Sequence, residues 1–319
     1  VKILFLGTSS GVPSKQRNVT GIALREEKGK GWYLIDCGEA TQHQILHTKL
    51  SVVALKAIFI THIHGDHCYG LPGLLASAAM TGRTEPLTII APKEIESWIN
   101  ATREFTQLYL PFELKFIDAH TLPEIDVDAF NVTTHALSHP VPSYGYRFSE
   151  RNIASKLDFA KLAVDGIPKG ELYGKIKRGE NVEVHGRTLI ALDYLITDTS
   201  PRTIVIAGDN GDPTLLSQAA SNVDVLVHES TYTKDIAMKV GDQYGHSYAE
   251  LVASFAEQVG VKNLILTHFS PRYQPHPDAK PSIFDIEQEA RKHYAGRLFL
   301  AKDFAEFTVA KDGVLSAVE

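Results

Sequence analysis

Cysteine is scarce: the 319-residue chain carries two, Cys37 and Cys68. Two thiols do not make the framework of a disulfide-stapled secreted domain, so no disulfide partner is expected and a reducing cytoplasm is the default setting. Long apolar runs are also missing, and no stretch reaches the roughly 18 residues that a membrane-spanning helix needs. The opening VKILFLGTSSGVP is interrupted by Gly and Pro too early for a secretory leader and reads as a first strand. Positive charge is not in excess. Thirty-two Lys and Arg face 38 Asp and Glu, a formal charge of −6, which argues against a chain that binds nucleic acid over its whole surface. Low-complexity tracts and fixed-period repeats are absent. What remains is 44% hydrophobic and 22% charged, an ordinary globular composition that can bury a full core in one large domain or two small ones.

Runs rich in Val, Ile, Leu and Phe predict strands at 2–7, 32–38, 55–62, 86–92, 130–137, 202–209, 224–230 and 263–269. Helical patterns at 93–108, 248–259 and 282–294 fall between or after them. Ser247 and Glu250 have the spacing of a capping box, and Gly260 supplies the stop. Such alternation predicts an α/β layered protein. Residues from about 149 to 197 break the pattern. Ser155 and Asp158 suggest a capped short helix, Gly166-Ile167-Pro168 ends it, and ELYGKIKR begins a second. These pieces look too short to bury a core of their own and predict an arm inserted into the main domain. Over 151–191, eight Lys or Arg face five Asp or Glu, a net +3 that leaves −9 elsewhere. A basic arm on an acidic body suits an anionic partner gripped locally.

The chemistry concentrates in FITHIHGDHCYGLPGL, residues 59–74. His62 and His64, two apart on extended chain, point the same way. After Gly65 the chain turns, so Asp66 and His67 can face the same spot from the other side. Imidazole with carboxylate suits Zn²⁺ or, less selectively, Mn²⁺ or Fe. His139, Asp209 and His268 each follow or end another predicted strand, where open α/β architectures place ligands. Seven candidate ligands are too many for one tetrahedral ion and suit two, the usual device for phosphoryl hydrolysis. Asp209 can bridge with two oxygens. His246, just ahead of helix 248–259, sits where a phosphate is attracted and can donate a proton to a leaving oxygen, with Glu229 restoring its charge. His228 reads as a buried structural residue, and His43, His47, His120, His135, His185, His276 and His293 carry no functional signal.

HIHGDH resembles the H-x-H-x-D-H signature of the metallo-β-lactamase superfamily. The blocks LGTSSGVPSKQRN (6–18), DCGEATQHQ (36–44), SHPVPSYGYR (138–147), GDNG (208–211), VHEST (227–231), GHS (245–247) and LTHFSPRY (266–273) are similar to the ribonuclease Z family, and the resemblance runs from about residue 2 to 307. It implies a metallo-β-lactamase αββα sandwich with an inserted flexible arm at about 149–197. It also implies two zinc ions per subunit (Mn²⁺ or another divalent ion in their place) and a homodimer whose arm holds precursor tRNA. Carried over by motif, His62, His64, His139 and Asp209 would hold one ion, and Asp66, His67, His268 and Asp209 the other. Asp66 would accept a proton from the attacking water, and His246, supported by Glu229, would protonate the leaving 3′ oxygen. Lys15, Arg17 and Arg272 would contact the acceptor end. The implied activity is removal of the precursor tRNA 3′ trailer by a cut after the discriminator base, leaving a 3′-hydroxyl and a 5′-phosphorylated trailer. Asn210, Ser230 and Tyr248 stand where the family has Thr, Ala and Thr. Two other readings remain: a hydrolase of the same superfamily acting on small diesters, lactones or thioesters, and a protein that holds precursor RNA without cutting it.

Overall fold

The computed structural model describes residues 1–27, 29–151, 156–184, 186–196 and 200–318. It forms two compact units, Val1–Ser149 with Arg202–Glu319, and Glu150–Pro201.

The larger unit is built on two mixed sheets. Eight strands of the first lie in the order Leu315–Val318, Glu306–Val309, Lys2–Gly7, Gly21–Arg25, Trp32–Ile35, Leu55–Phe59, Leu87–Ala91, Leu114–Asp118. The last four are mutually parallel and the first five pair antiparallel. The second sheet runs Arg297–Leu300, Asn263–Thr267, Val225–Glu229, Thr203–Ala207, Ser143–Glu150, Phe130–Leu137, Glu124–Val127, with its first four strands parallel. Strands such as Trp32–Ile35 and Asn263–Thr267 are buried along their whole length, which is why they read as unbroken apolar runs rather than alternating ones.

Their two faces feed different cores. Phe5, Tyr33 and Phe59 of the first sheet meet Phe130, Tyr146 and Phe148 of the second, and the Phe59 ring lies 5.1 Å from both Tyr146 and Phe148. On the far side of the first sheet, Leu34 and Ile58 pack against Leu74 and Leu75 of helix Leu71–Met80 and Ile95 and Ile99 of helix Glu94–Thr106. On the far side of the second, Leu226 and Leu264 pack against Val252 and Phe255 of helix Ala249–Gln258 and Ile286 of helix Ile283–Arg291. The result is the αββα sandwich expected.

All eight predicted strands are present, but several stop short of the predicted range. Residues such as Ile60 and Thr61 stay buried while the chain leaves the ladder to carry the site. Ser143–Glu150 was missing from the sequence reading, although Tyr144, Tyr146 and Phe148 are buried at every second position, a period-two signal diluted by Ser, Gly and Arg. The capping box expected of Ser247 and Glu250 is not formed. Tyr248 precedes the helix with no side-chain cap, Ser247 Oγ donates to the Asn210 carbonyl at 2.6 Å, and the Glu250 N–H is taken by the Glu289 carboxylate at 2.9 Å. Tertiary partners satisfied the helix end instead of its own first turn.

The smaller unit corrects the expectation that these pieces cannot bury a core. Leu162, Ile167, Ile176, Val182, Ala191 and Tyr194 form one. Helices Phe159–Val164 and Glu171–Lys177 are joined by two short antiparallel ladders, Lys156–Leu157 with Leu195–Ile196 and Val182–Val184 with Arg187–Leu189. Those ladders, two or three residues a side, left no legible strand pattern. Asp158 caps the first helix by accepting from the Lys161 N–H at 2.9 Å. Ser155 and His185 lie outside the described residues.

Candidate metal centre

His62 to His67 follow strand Leu55–Phe59, Asp209 follows Thr203–Ala207, His268 follows Asn263–Thr267, and His139 follows Phe130–Leu137. The two sheets therefore deliver their strand ends to one place, and the side chains meet there. His64 Nδ1 lies 3.1 Å from His62 Nε2 and 3.1 Å from His139 Nε2. His67 Nε2 lies 3.3 Å from His268 Nε2, and Asp66 Oδ2 lies 3.4 Å from each of these nitrogens. Asp209 stands between the two groups. Its Oδ1 is 3.4 Å from His67 Nε2 and from His268 Nε2, and its Oδ2 is 3.7 Å from His62 Nε2 and 4.0 Å from His139 Nε2. The sets His62, His64, His139 and Asp66, His67, His268 each bring their donor atoms within 4.8 Å of one another.

This packing tests whether cations belong here. Ring nitrogens facing one another at 3.1–3.3 Å are repulsive as two lone pairs and as two N–H groups, and become favourable when both lone pairs point at one cation. Three ionisable carboxylates (Asp66, Asp209, Glu229) are buried or nearly so beside them, and buried negative charge needs a positive counterpart. The donor set fits two divalent ions.

Three of the imidazoles are also held from behind. His67 Nδ1–H donates to Asp36 Oδ2 at 2.7 Å, and Asp36 accepts further from the Thr61 N–H at 2.8 Å and hydroxyl at 2.9 Å. His139 Nδ1–H donates to the Gly245 carbonyl at 3.1 Å. His268 Nδ1–H donates to the Thr231 hydroxyl at 3.1 Å, which itself donates to Glu229 Oε2. Each of these bonds fixes the tautomer that presents Nε2 to the centre. Gly245 sits at φ +62, where a Cβ would come within 2.8 Å of Pro140 and 3.2 Å of His139. Asp36 and His268 themselves adopt left-handed backbone, φ 59 and φ 58, a local cost of about 1 kcal/mol or more each that the surrounding bonds offset.

The sequence reading missed Asp36 and Thr231 as supports, although DCGEATQHQ and VHEST were in view; an aspartate ending one strand gives no sign of which histidine it will meet. Asp36→Asn is expected to weaken metal binding by about 10- to 100-fold while excess metal restores turnover; metal titration followed by activity measures both. A loss of turnover that added metal leaves untouched would show that Asp36 acts otherwise.

His246 Nδ1 lies 3.2 Å from Glu229 Oε1 and 3.7 Å from Asp209 Oδ2. Burial opposes the charged imidazole, but Glu229 and Asp209 outweigh it, and the His246 pKa is pushed up to about 9. Glu229 is locked in turn by the Asn210 N–H at 2.7 Å. Asn210 has a use at its variant position: Oδ1 accepts from the Ser138 N–H at 3.1 Å and Nδ2 donates to His228 Nε2 at 3.1 Å. It thereby ties the His139 and Glu229 loops together, and His228 is structural as read. Ser230 Oγ is buried without a hydrogen-bond partner among the described residues.

The three basic candidates separate. Lys15 is exposed. Arg272 lies over the Tyr232 ring at 5.1 Å, in a recess that also contains His246 and Tyr244. Arg17 is turned inward: its Nη1 donates to Thr8 Oγ1 at 2.6 Å and the Ala301 carbonyl at 2.8 Å, and its guanidinium covers the Phe269 ring at 4.9 Å. Asp303 completes this brace, accepting from Thr8 Oγ1 at 2.7 Å and the Asn18 N–H at 2.6 Å. The same loop reaches the centre where the Gly11 N–H donates to Asp66 Oδ2 at 2.7 Å.

Comparison with known proteins agrees with this geometry. A family profile described as anti-Pycsar protein Apyc1 matches residues 1–158. The chain is 50% identical over 316 residues to a ribonuclease Z of Pseudomonas putida (strain W619), covering 99% of this chain and 98% of that protein. It is 47% identical over 322 residues to a ribonuclease Z of Marinobacter nauticus, covering 100% and 99%. Among solved structures, human tRNase Z, short form, superposes with a TM-score of 0.68 at 25% identity, covering 97% of this chain and 100% of that one.

Proposed function

This chain belongs to the ribonuclease Z family, and from that premise we propose that it is the endoribonuclease that removes the 3′ trailer of precursor tRNA, cutting after the discriminator base to leave a tRNA 3′-hydroxyl and a 5′-phosphorylated trailer. The observation that carries the reading is Asp209, whose two oxygens divide between the two histidine groups. Two divalent cations, zinc first by the donor set and Mn²⁺ or another ion in its place, would be held by His62, His64 and His139 on one side, by Asp66, His67 and His268 on the other, and by Asp209 between, and would supply Lewis-acid charge to the phosphate and lower the pKa of water.

The chain's own groups do the rest. Asp66, fixed by the Gly11 N–H, accepts a proton from the attacking water. His246, charged through Glu229 and Asp209, donates to the leaving 3′ oxygen. Arg272 stands in the same recess and, with Lys15, meets the acceptor end. Arg17 works indirectly, by bracing the loop that carries Gly11. Because water is the nucleophile, no neighbouring 2′-hydroxyl is needed.

The unit Glu150–Pro201, whose segment 151–191 carries eight Lys or Arg against five Asp or Glu, would bind the body of the tRNA, and two copies of the chain would form a homodimer in the cytoplasm. No helix among the described residues is long and apolar enough to cross a membrane, and Cys37 and Cys68 are buried free thiols. Deleting 150–201 is expected to abolish cleavage of precursor tRNA while hydrolysis of bis(p-nitrophenyl) phosphate persists. The primary test is cleavage of a 3′-extended precursor lacking CCA, with analysis of both new ends, wild type beside Asp66→Ala. No cut by metal-loaded wild type, with the small diester still hydrolysed, would move the assignment to a small-molecule hydrolase.

A further inference from the structure

Behind the loop Ser14–Arg17 the larger unit carries a cavity of about 690 Å³. Its apolar part is made by Leu300, Ile283, Tyr273 and Phe284. Phe284, in the first turn of helix Ile283–Arg291, leaves 39% of its surface to solvent. Gln16 and Gln274 also line it.

The charges around it are sorted. Glu287 is neutralised by Arg291 at 2.8 Å, and Asp303 is spent on Thr8 and Asn18. Arg17 is spent on Thr8 and the Ala301 carbonyl. Lys15 and Lys302 are exposed and have no ion pair or side-chain hydrogen bond among the described residues. The lining thus combines aromatic and aliphatic residues, two glutamines and two lysines without a partner among the described residues, which is the pattern that holds a single-stranded nucleotide by stacking and backbone charge. Pro271 lines both this cavity and the recess beside His246, so the two are consecutive along one face.

We propose that this cavity receives a nucleotide of the RNA on the 3′ side of the cut, its base against Phe284 and its phosphates between Lys15 and Lys302. The inference rests on the reading of the substrate as a 3′-extended precursor. With the leaving 3′ oxygen at His246, the nucleoside that bears it takes the recess, and the 5′-phosphorylated side passes along the loop Gly11–Arg17 to the cavity. A trailer longer than one nucleotide gains a contact that a single-nucleotide trailer cannot reach.

Two measurements test this. Phe284→Ala is expected to raise KM for a long-trailer precursor by about 10-fold, the usual scale for one base–aromatic stack, with KM for a single-nucleotide trailer and kcat for both unchanged; Phe284→Tyr should restore the long-trailer KM. Independently of turnover, 2-aminopurine placed at successive trailer positions of a precursor bound to Asp66→Ala should be quenched at one position, and Phe284→Ala should relieve that quench. An equal loss on long and short trailers, or no quenched position, overturns the proposal while leaving the nuclease reading intact. Release of the quench by free uridine monophosphate near the precursor's own concentration would assign the cavity to a diffusible nucleotide and overturn it too. Failure of wild type to cut either precursor or to bind the labelled one would overturn the nuclease reading and this inference together.

Discussion

Asp209→Ala should abolish cleavage of precursor tRNA, with kcat falling by at least about 1,000-fold, or roughly 4 kcal/mol of transition-state stabilisation. Five histidines surround it: His62, His67, His139, His246 and His268 all lie within 4.0 Å of one of its oxygens. Burial favours its neutral form, yet His268, His67 and His62 hold it well below the usual carboxylate range. Removing it leaves the two ligand groups three donors each and no common one. Elemental analysis should therefore find fewer than two ions per chain, and far-UV circular dichroism should be unchanged. Asp209→Asn keeps the volume and one oxygen and separates charge from packing; it should lose activity nearly as far. Full turnover with two ions in either variant would end the bridging role.

The second large effect is expected at His246. His246→Ala should lower kcat by about 100- to 10,000-fold, the span of a lost general acid, while tRNA affinity measured by filter binding changes little. Equal losses in both would make His246 a binding residue. The pH dependence follows from its environment. The proton on His246 is present below its pKa and lost above it, so the active form disappears on the alkaline side. In the metal-free protein that pKa is about 9. Bound dications repel the proton and place the limb of the loaded enzyme lower. Glu229→Gln removes the main attraction that raises the pKa, so the alkaline limb of kcat should shift to lower pH, with little change on the acid side. The same sign governs folding. A histidine raised in the folded state contributes stability that is complete below the unfolded value near 6.5 and is lost as pH rises through about 9.

How much of this was legible beforehand differs by kind of information. The crowding of His62, His64, Asp66 and His67 at one strand end pointed to a candidate metal site because donors that close in sequence must be close in space. His139, Asp209 and His268 were legible through a shared position, the end of a strand, where open α/β architectures place ligands. Asp36, Thr231 and Asn210 could not be weighted in the same way. Each is a small polar residue whose value lies in which nitrogen or carbonyl it meets, and those partners are 19 to 37 residues apart in three of the bonds concerned. Arg17 shows the converse. Its loop motif suggested an outward contact, and the structure turns its Nη1 onto Thr8 and the Ala301 carbonyl with the guanidinium over the Phe269 ring.

The sequence by itself determined the layered α/β class, the candidate donor residues and, through family likeness, the reaction. These rest on local composition and on spacing along the chain. Only the tertiary structure decided that Asp209 splits its oxygens between two histidine groups, that Ser247 serves the Asn210 carbonyl rather than its own helix, and that residues 150–201 enclose a core. The physical reason is common to all three. Hydrogen bonds and burial are settled by whichever partner long-range packing brings within about 3 Å, and no local pattern records that choice.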